Sequence, residues 1–379
     1  MRILFWTAGI LLAYAQVGYG LLLAALRRSG LLETWTPPAP DAASHPRVSV
    51  IVAAFREEAV IAARVANLLT LDWPREGLEV IVAVDGGAGP GADRTAERAR
   101  AAGADLVLEL PRRGKVRTQD AAVRAATGEV LAFSDANATW APDALARLVA
   151  AFSDPAVGYA CGRVQFVSDA GTNQEGLYWR WDMFQRARES ALASVTAGNG
   201  AIYAVRREAY VEMDAVMGHD LSLPFTLVKA GWRAVEVEDA CATEKMVPTV
   251  EGEWRRKRRM MSHAWAIVLR GGMLDPRGYP PLYALFVASH RVLRYVTPFL
   301  HLGAALATLA LLRRGRPYVA AALAQAALLG AAAAGGRVRS RPLLVARYYV
   351  LTTASLAFGL YDHLRHGTEA GWDAAEGTR

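Results

Sequence analysis

Two oxygen-bearing side chains two positions apart, Asp135 and Asn137, follow the apolar run Val130-Leu131-Ala132-Phe133-Ser134. Residues i and i+2 of an extended segment share a face, so both side chains can point beyond the strand's carboxyl end. Open α/β sheets bind ligands at that edge. Two oxygen donors there suit a hard divalent cation, Mg2+ or Mn2+, which normally arrives with phosphate. A plainer role for Asp135 is to cap a helix beginning near Pro142. A second acidic terminus weighs against the plainer role: the apolar run Leu78–Val84 ends on Asp85. Parallel order would bring both carboxylates to one edge, where they repel unless a cation compensates them. Glu57 stands just past a third apolar run, Val48–Ala53.

Cationic residues punctuate the same region. Lys115 follows Arg112-Arg113-Gly114 ahead of a predicted helix, and a flexible Gly, a cation and a helix N-terminus together form an anion site. A solvated basic loop is the alternative. His219-Asp220 opens another helix, where Asp220 is either an N-cap or a general base, with His219 tuning it or binding phosphate. Arg256 and Arg259 share a helix face and could clamp a diphosphate, or they could face anionic headgroups. Trp181 could stack on a sugar ring or belong to the core. A Gly-x-Gly-x-x-Ala pattern at Gly87, Gly89 and Ala92 imitates a dinucleotide fingerprint. Asp85 at its mouth and Pro90 inside it argue against that reading.

Strands alternating with helices of about ten residues must position these groups, and that alternation implies a mostly parallel sheet. The predicted helices are Ala59–Leu71, Arg94–Gly103 and Val116–Ala126, with a short third strand at Asp105–Leu110. Later elements are a strand or hairpin at Val157–Val167, a long helix Gln174–Ser194, strands Ala201–Val205 and Arg233–Val237, and helices Leu221–Ala230 and Gly252–Leu269. The expected organisation is a membrane helix at 1–28, a linker at 29–46 and an α/β domain at 47–270. An interfacial segment at 271–294, a membrane region of about three helices at 295–365 and a tail at 366–379 complete it.

The 24 residues Ile3–Leu26 carry no charge and are long enough to cross a bilayer. Arg27 and Arg28 follow directly, which places the next domain in the cytoplasm by the positive-inside rule. The segments Tyr295–Leu312 and Pro317–Gly336 are further spanning candidates, and Pro342–Asp362 is a weaker one because Arg347 interrupts it. The chain of 379 residues is 53% hydrophobic with net charge +7, and the apolar excess sits at its two ends. Its basicity suits a membrane surface or phosphorylated ligands. No zinc-finger spacing or aromatic-interleaved RNA motif points to nucleic acid. Two cysteines 80 residues apart, Cys161 and Cys241, form neither a metal pattern nor a disulfide framework.

Taken together, these residues resemble the membrane-bound members of glycosyltransferase family 2, which have the GT-A fold and include cellulose and hyaluronan synthases. The likeness is carried by Val48–Val52 with Glu57-Glu58, by Asp85-Gly86-Gly87, by Gly114-Lys115 and by Ser134–Asn137 at the place of an Asp-x-Asp motif. Gly198–Arg207, Gly218-His219-Asp220 and the Arg255–Arg259 block complete it. The resemblance implies an inner-membrane, inverting transferase with a nucleotide-sugar donor, usually UDP-linked, and Mg2+ or Mn2+. Glu57, Asp85 and Lys115 would hold the nucleotide, while Asp135 and Asn137 would hold metal and diphosphate. Asp220 would be the base, with Asn199, Gly200, Trp181 and His219 on the side of a saccharide or lipid-linked acceptor. Asn137 in place of a second Asp, and Met260 where processive synthases have Trp, leave open a catalytically weak binding or scaffold subunit. Neither the sugar nor the oligomeric state is legible.

Overall fold

A computed structural model describes residues 1–41, 45–89, 91–167, 176–245, 250–338 and 340–371. Among the described residues its α/β part is one sheet of eight strands: β1 (Val48–Ala54), β2 (Leu78–Asp85), β3 (Leu106–Leu110), β4 (Val130–Asp135), β5 (Thr139–Trp140), β6 (Val157–Val167), β7 (Tyr203–Arg206) and β8 (Arg233–Lys245). The spatial order is β3-β2-β1-β4-β7-β6-β8-β5. The first four strands are parallel, as their continuous apolar runs require when both faces are covered. Register pairs Ala53 with Asp135, Val84 with Ala54 and Asp85 with Leu110. The acidic termini of β2 and β4 therefore share one edge, flanking the end of β1. β7 then runs antiparallel between β4 and β6, which makes the sheet mixed.

Two apolar clusters cover the sheet, one on each face. One contains Val50, Val52, Val80, Val82 and Ala132, and the other contains Ile51, Ile81, Leu131, Phe133 and Tyr203. The alternation along each strand is the period-two rule, with both faces apolar. Leu223, Phe225 and Trp265 join the second cluster, so the helices His219–Lys229 and Val250–Arg270 close that face.

Among the described residues four helices are long and apolar enough to cross a membrane: Arg2–Ser29, Pro281–Arg314, Arg316–Ala334 and Arg341–His366. The second begins well before Tyr295. Its early turns hold the polar run Ser289-His290-Arg291, which lowers local hydropathy but is buried. The reason is a polar junction with the helix Gly176–Leu192. Tyr19 donates to Glu189 at 2.6 Å, and His290 stands between Glu189 (2.7 Å) and Asp182 (3.2 Å). Arg294 also reaches Asp182, at 2.6 Å, and Arg291 donates to Thr196 at 2.8 Å. Removing any one member strands another buried charge. The predicted start of that helix at Gln174 lies outside the described residues.

Trp181 belongs to the same junction. A methyl group at Gly20 would stand 2.4 Å from its indole, and the ring stacks on Phe184. It is a packing residue between the first membrane helix and the domain, which corrects its placement on the acceptor side. Gly20→Val should accordingly cost on the order of 1–3 kcal/mol by overpacking. A fall of several degrees in the thermal midpoint of detergent-solubilised protein is the expected result.

Candidate active site

Gly114 sets the geometry of the site. Its φ of +91° suits glycine alone, and it turns the chain into the helix Lys115–Ala125. Asp85 fixes this loop from the end of β2. One carboxylate oxygen accepts from the backbone N–H of Arg113 at 2.7 Å and the other from Gly114 at 3.1 Å. Arg112 lies 3.6 Å from the same carboxylate, with its guanidinium 3.1 Å above the Phe55 ring. Much of the hydrogen-bonding capacity of Asp85 is therefore spent on the loop, leaving a buried anion beside a cation–aromatic pair. Glu57, also buried, sits on the turn after β1, where its N–H donates to Thr95 at 2.9 Å.

Lys115 points from the first helical turn to Asp135, and its ammonium donates to Asp135 Oδ1. Burial by itself would lower the lysine pKa, but Asp135, Asp220 and Glu244 outweigh it and hold it above its ordinary value. Gly200 lies against this pair: a methyl group there would stand 3.8 Å from Lys115 Nζ and 3.9 Å from Asp135 Oδ2. The backbone of the Asn199-Gly200 segment is held to the Asp220 helix by Gly198 N–H donating to the Asp220 carbonyl at 2.6 Å. Asn199 Oδ1 accepts from Ala201 N–H at 3.3 Å, and its Nδ2 is buried with no hydrogen-bond partner among the described residues. The fold thus gathers Lys115, Asp135, Gly200 and Asp220, far apart in sequence, at one edge.

Three placements refine the expectations. Asp220 is not the N-cap, a position held by Gly218; it is the second residue of the helix, with its carboxylate in the first turn. His219 is buried among Phe133, Tyr203 and Tyr210. Gln119 donates to Tyr203 Oη at 3.2 Å, and that hydroxyl meets His219 Nδ1 at 2.9 Å. Burial and then the nearby Lys115 push the imidazole down to about 3, so it is neutral at physiological pH. Arg256 acts electrostatically on Glu244, whereas Arg259, one turn on and exposed, acts on His263.

Glu244, near the end of β8, escaped the sequence reading. Burial and then Asp135 push its carboxyl up to about 7, against the opposing pull of Lys115 and Arg256. No apolar run leads into it, so no sequence signal distinguished it from a surface acid.

Asp135 closes β4, whereas Asn137 sits in the turn that follows and not in the extended segment expected, and Gly200 lies beside Asp135 Oδ2. Among the described residues no group of three His, Cys, Asp or Glu could hold a metal. A carboxylate oxygen beside Gly200 fits a hard cation that takes its remaining ligands from phosphate oxygens and water.

A model of the glycosyltransferase-like family 2 matches residues 45–262, more than half of the chain. The chain belongs to glycosyltransferase-like family 2. This family-2 chain is 27% identical over 267 residues to an N-acetylglucosaminyltransferase of Rhizobium meliloti, covering 64% of this chain and 62% of the relative. It is 28% identical over 324 residues to a beta-monoglucosyldiacylglycerol synthase of Synechocystis, covering 78% of this chain and 64% of the relative. The chain thus spans less than two thirds of the length of these relatives. A solved mannosyltransferase from Pyrobaculum calidifontis, in complex with GDP-Man and Mn2+, is 26% identical with a TM-score of 0.72. That match covers 96% of this chain and 99% of the mannosyltransferase. The fold is GT-A, a mixed, mostly parallel sheet flanked by four apolar helices, and the dinucleotide reading falls away. Pro90, on which that reading partly turned, lies outside the described residues.

The raised carboxyl of Glu244 yields a stability prediction. Its folded value exceeds its ordinary 4.5, so folding penalises the charged form increasingly as pH rises from 4.5 to about 7. Glu244→Gln should raise the thermal midpoint relative to wild type, by an increment that grows across that window and levels off above it. A midpoint difference that is flat from pH 4.5 to 8 would disprove the assignment.

Proposed function

We propose that this glycosyltransferase works at the cytoplasmic face of a membrane, transferring a sugar with inversion from a nucleoside-diphosphate donor to a hydroxyl of a lipid or saccharide acceptor. The observation that carries the reading is the assembly of Lys115, Asp135 and Asp220 around Gly200 at the carboxyl edge of the sheet. UDP is the first choice of nucleotide from the family resemblance, and the GDP-Man bound by the Pyrobaculum enzyme makes GDP the competing choice. A lipid acceptor is supported by the relative named beta-monoglucosyldiacylglycerol synthase, and the saccharide alternative comes from the family resemblance. Arg27 and Arg28 after the first apolar helix support the cytoplasmic side.

In this reading Glu57, Asp85 and the Arg112–Phe55 pair take the nucleoside end of the donor. Lys115 and Arg256 face the diphosphate as cations. Asp135 and Asn137 would hold Mg2+ or Mn2+, which supplies charge neutralisation to the departing diphosphate. Asp220 accepts the proton of the acceptor hydroxyl as its oxygen bonds to the anomeric carbon, and the bond from that carbon to the diphosphate oxygen breaks. His219, neutral and buried, stacks the Asp220 turn on the aromatic core. It positions and does not transfer protons.

Asp220→Asn should lower kcat by roughly 10²–10⁴ while leaving the donor Kd within about threefold of wild type. Nucleoside-diphosphate release and calorimetry measure the two quantities, and an intact kcat refutes the base assignment. EDTA should abolish transfer and added Mn2+ should restore it. Nucleotide-sugar binding with no turnover on any acceptor in a panel would instead favour a scaffold subunit.

A further inference from the structure

We infer that the segment Thr368–Gly371, which follows the last long helix, forms a wall of the nucleoside pocket and sets the affinity for the donor. The inference rests on the nucleotide-binding reading of that edge. A methyl group at Gly114 would stand 2.1 Å from the carbonyl oxygen of Ala370 and 3.2 Å from its Cβ. One at Gly371 would stand 3.9 Å from Arg112 Nη2. The segment therefore lies on the loop Arg112–Gly114, which Asp85 holds in place and which carries the Arg112–Phe55 pair. Thr368 and Ala370 are partly buried while Gly367, Glu369 and Gly371 are exposed, the alternation of an extended strip with one face on the protein.

The strip is also tied down upstream. Thr368 Oγ1 lies 3.0 Å from Ser262 Oγ and 2.8 Å from His363 Nδ1, and it donates to the Ser262 carbonyl at 3.3 Å. Just before it, Asp362 accepts both fork nitrogens of Arg258 at 2.5 and 2.6 Å. Ser262 and Arg258 belong to the helix that carries Arg256. One rigid element thus sets both a diphosphate-facing cation and the strip beside the nucleoside residues. A nucleoside seated between Phe55-Arg112 and Asp85 meets Ala370 as the next surface outward from Gly114. A purine or pyrimidine ring there gains burial and carbonyl acceptors for its exocyclic amines or ring N–H, which an open edge lacks.

The test compares full-length protein, a chain ending at Gly371 and a chain ending at Gly367, in detergent with Mn2+. Calorimetry with UDP and with GDP should show the Gly371 chain unchanged and the Gly367 chain weakened about tenfold for the nucleotide bound by wild type. Inorganic pyrophosphate, which lacks the nucleoside, should bind all three alike. Equal nucleotide affinity in the Gly367 chain overturns the inference, and so does tighter binding, which would make the strip a plug. If the Gly367 chain fails to fold, hydrogen exchange of residues 367–371 in wild type decides: protection on adding the nucleotide but not pyrophosphate supports the wall, and no change overturns it. Failure of wild type to bind any nucleotide would count against the proposed function as well, whereas binding indifferent to the strip sinks only this inference.

Discussion

An ammonium group among carboxylates governs the architecture of the site. Asp135, Asp220 and Glu244 come from a strand end, a helix start and the far end of a different strand, and each costs energy to bring near the others. Lys115 supplies the compensating charge, and it stands at the one place the backbone can deliver it, the first turn after a left-handed glycine. Everything that fixes that turn matters to the site: the grip of Asp85 on the Arg113 and Gly114 amides, and the aromatic core under His219. A cation and diphosphate entering the site would meet an anionic cluster already half neutralised.

A second charge cluster joins the domain to its membrane helices. Its two carboxylates, Asp182 and Glu189, lie on one helix of the domain, while Tyr19, His290 and Arg294 come from two apolar segments at opposite ends of the sequence. Buried ionic contacts of this kind add little net stability over an apolar packing but are intolerant of misalignment. They fix the angle at which the membrane helices leave the domain.

The parallel half of the fold was legible because β1, β2 and β4 are buried on both faces and so read as unbroken apolar runs, the last two ending in acids. That signature singled out Asp85 and Asp135, while Lys115 was read from the glycine and helix start around it. The later half was read less well for the opposite reason. β8 continues to Lys245 through Glu238 and Asp239, beyond the apolar run that seemed to end at Val237, because pairing with β6 carries it past those charges. Glu244 was hidden on that extension. Ser289-His290-Arg291 broke the apolar pattern of a helix whose polar residues are satisfied by partners 100 residues away, which no local window reveals. His219 and Trp181 carry residue types suited to sites, and only tertiary packing showed them to be core and junction.

The contact between Ala370 and Gly114 also counts membrane crossings. It places the end of the described chain on the same side of any bilayer as the sheet, so the path from Pro281 to Thr368 must cross an even number of times. If Pro281–Arg314 goes out and Arg316–Ala334 comes back, the parity is already satisfied. The helix Arg341–His366 packs on the other apolar helices at its start, with Tyr349 at His301, and on Val250–Arg270 toward its end, from Trp265 at Leu356 to Arg258 at Asp362. One continuous rod therefore joins the apolar helices to the Gly114 loop, and tilting it would move Ala370 against that loop.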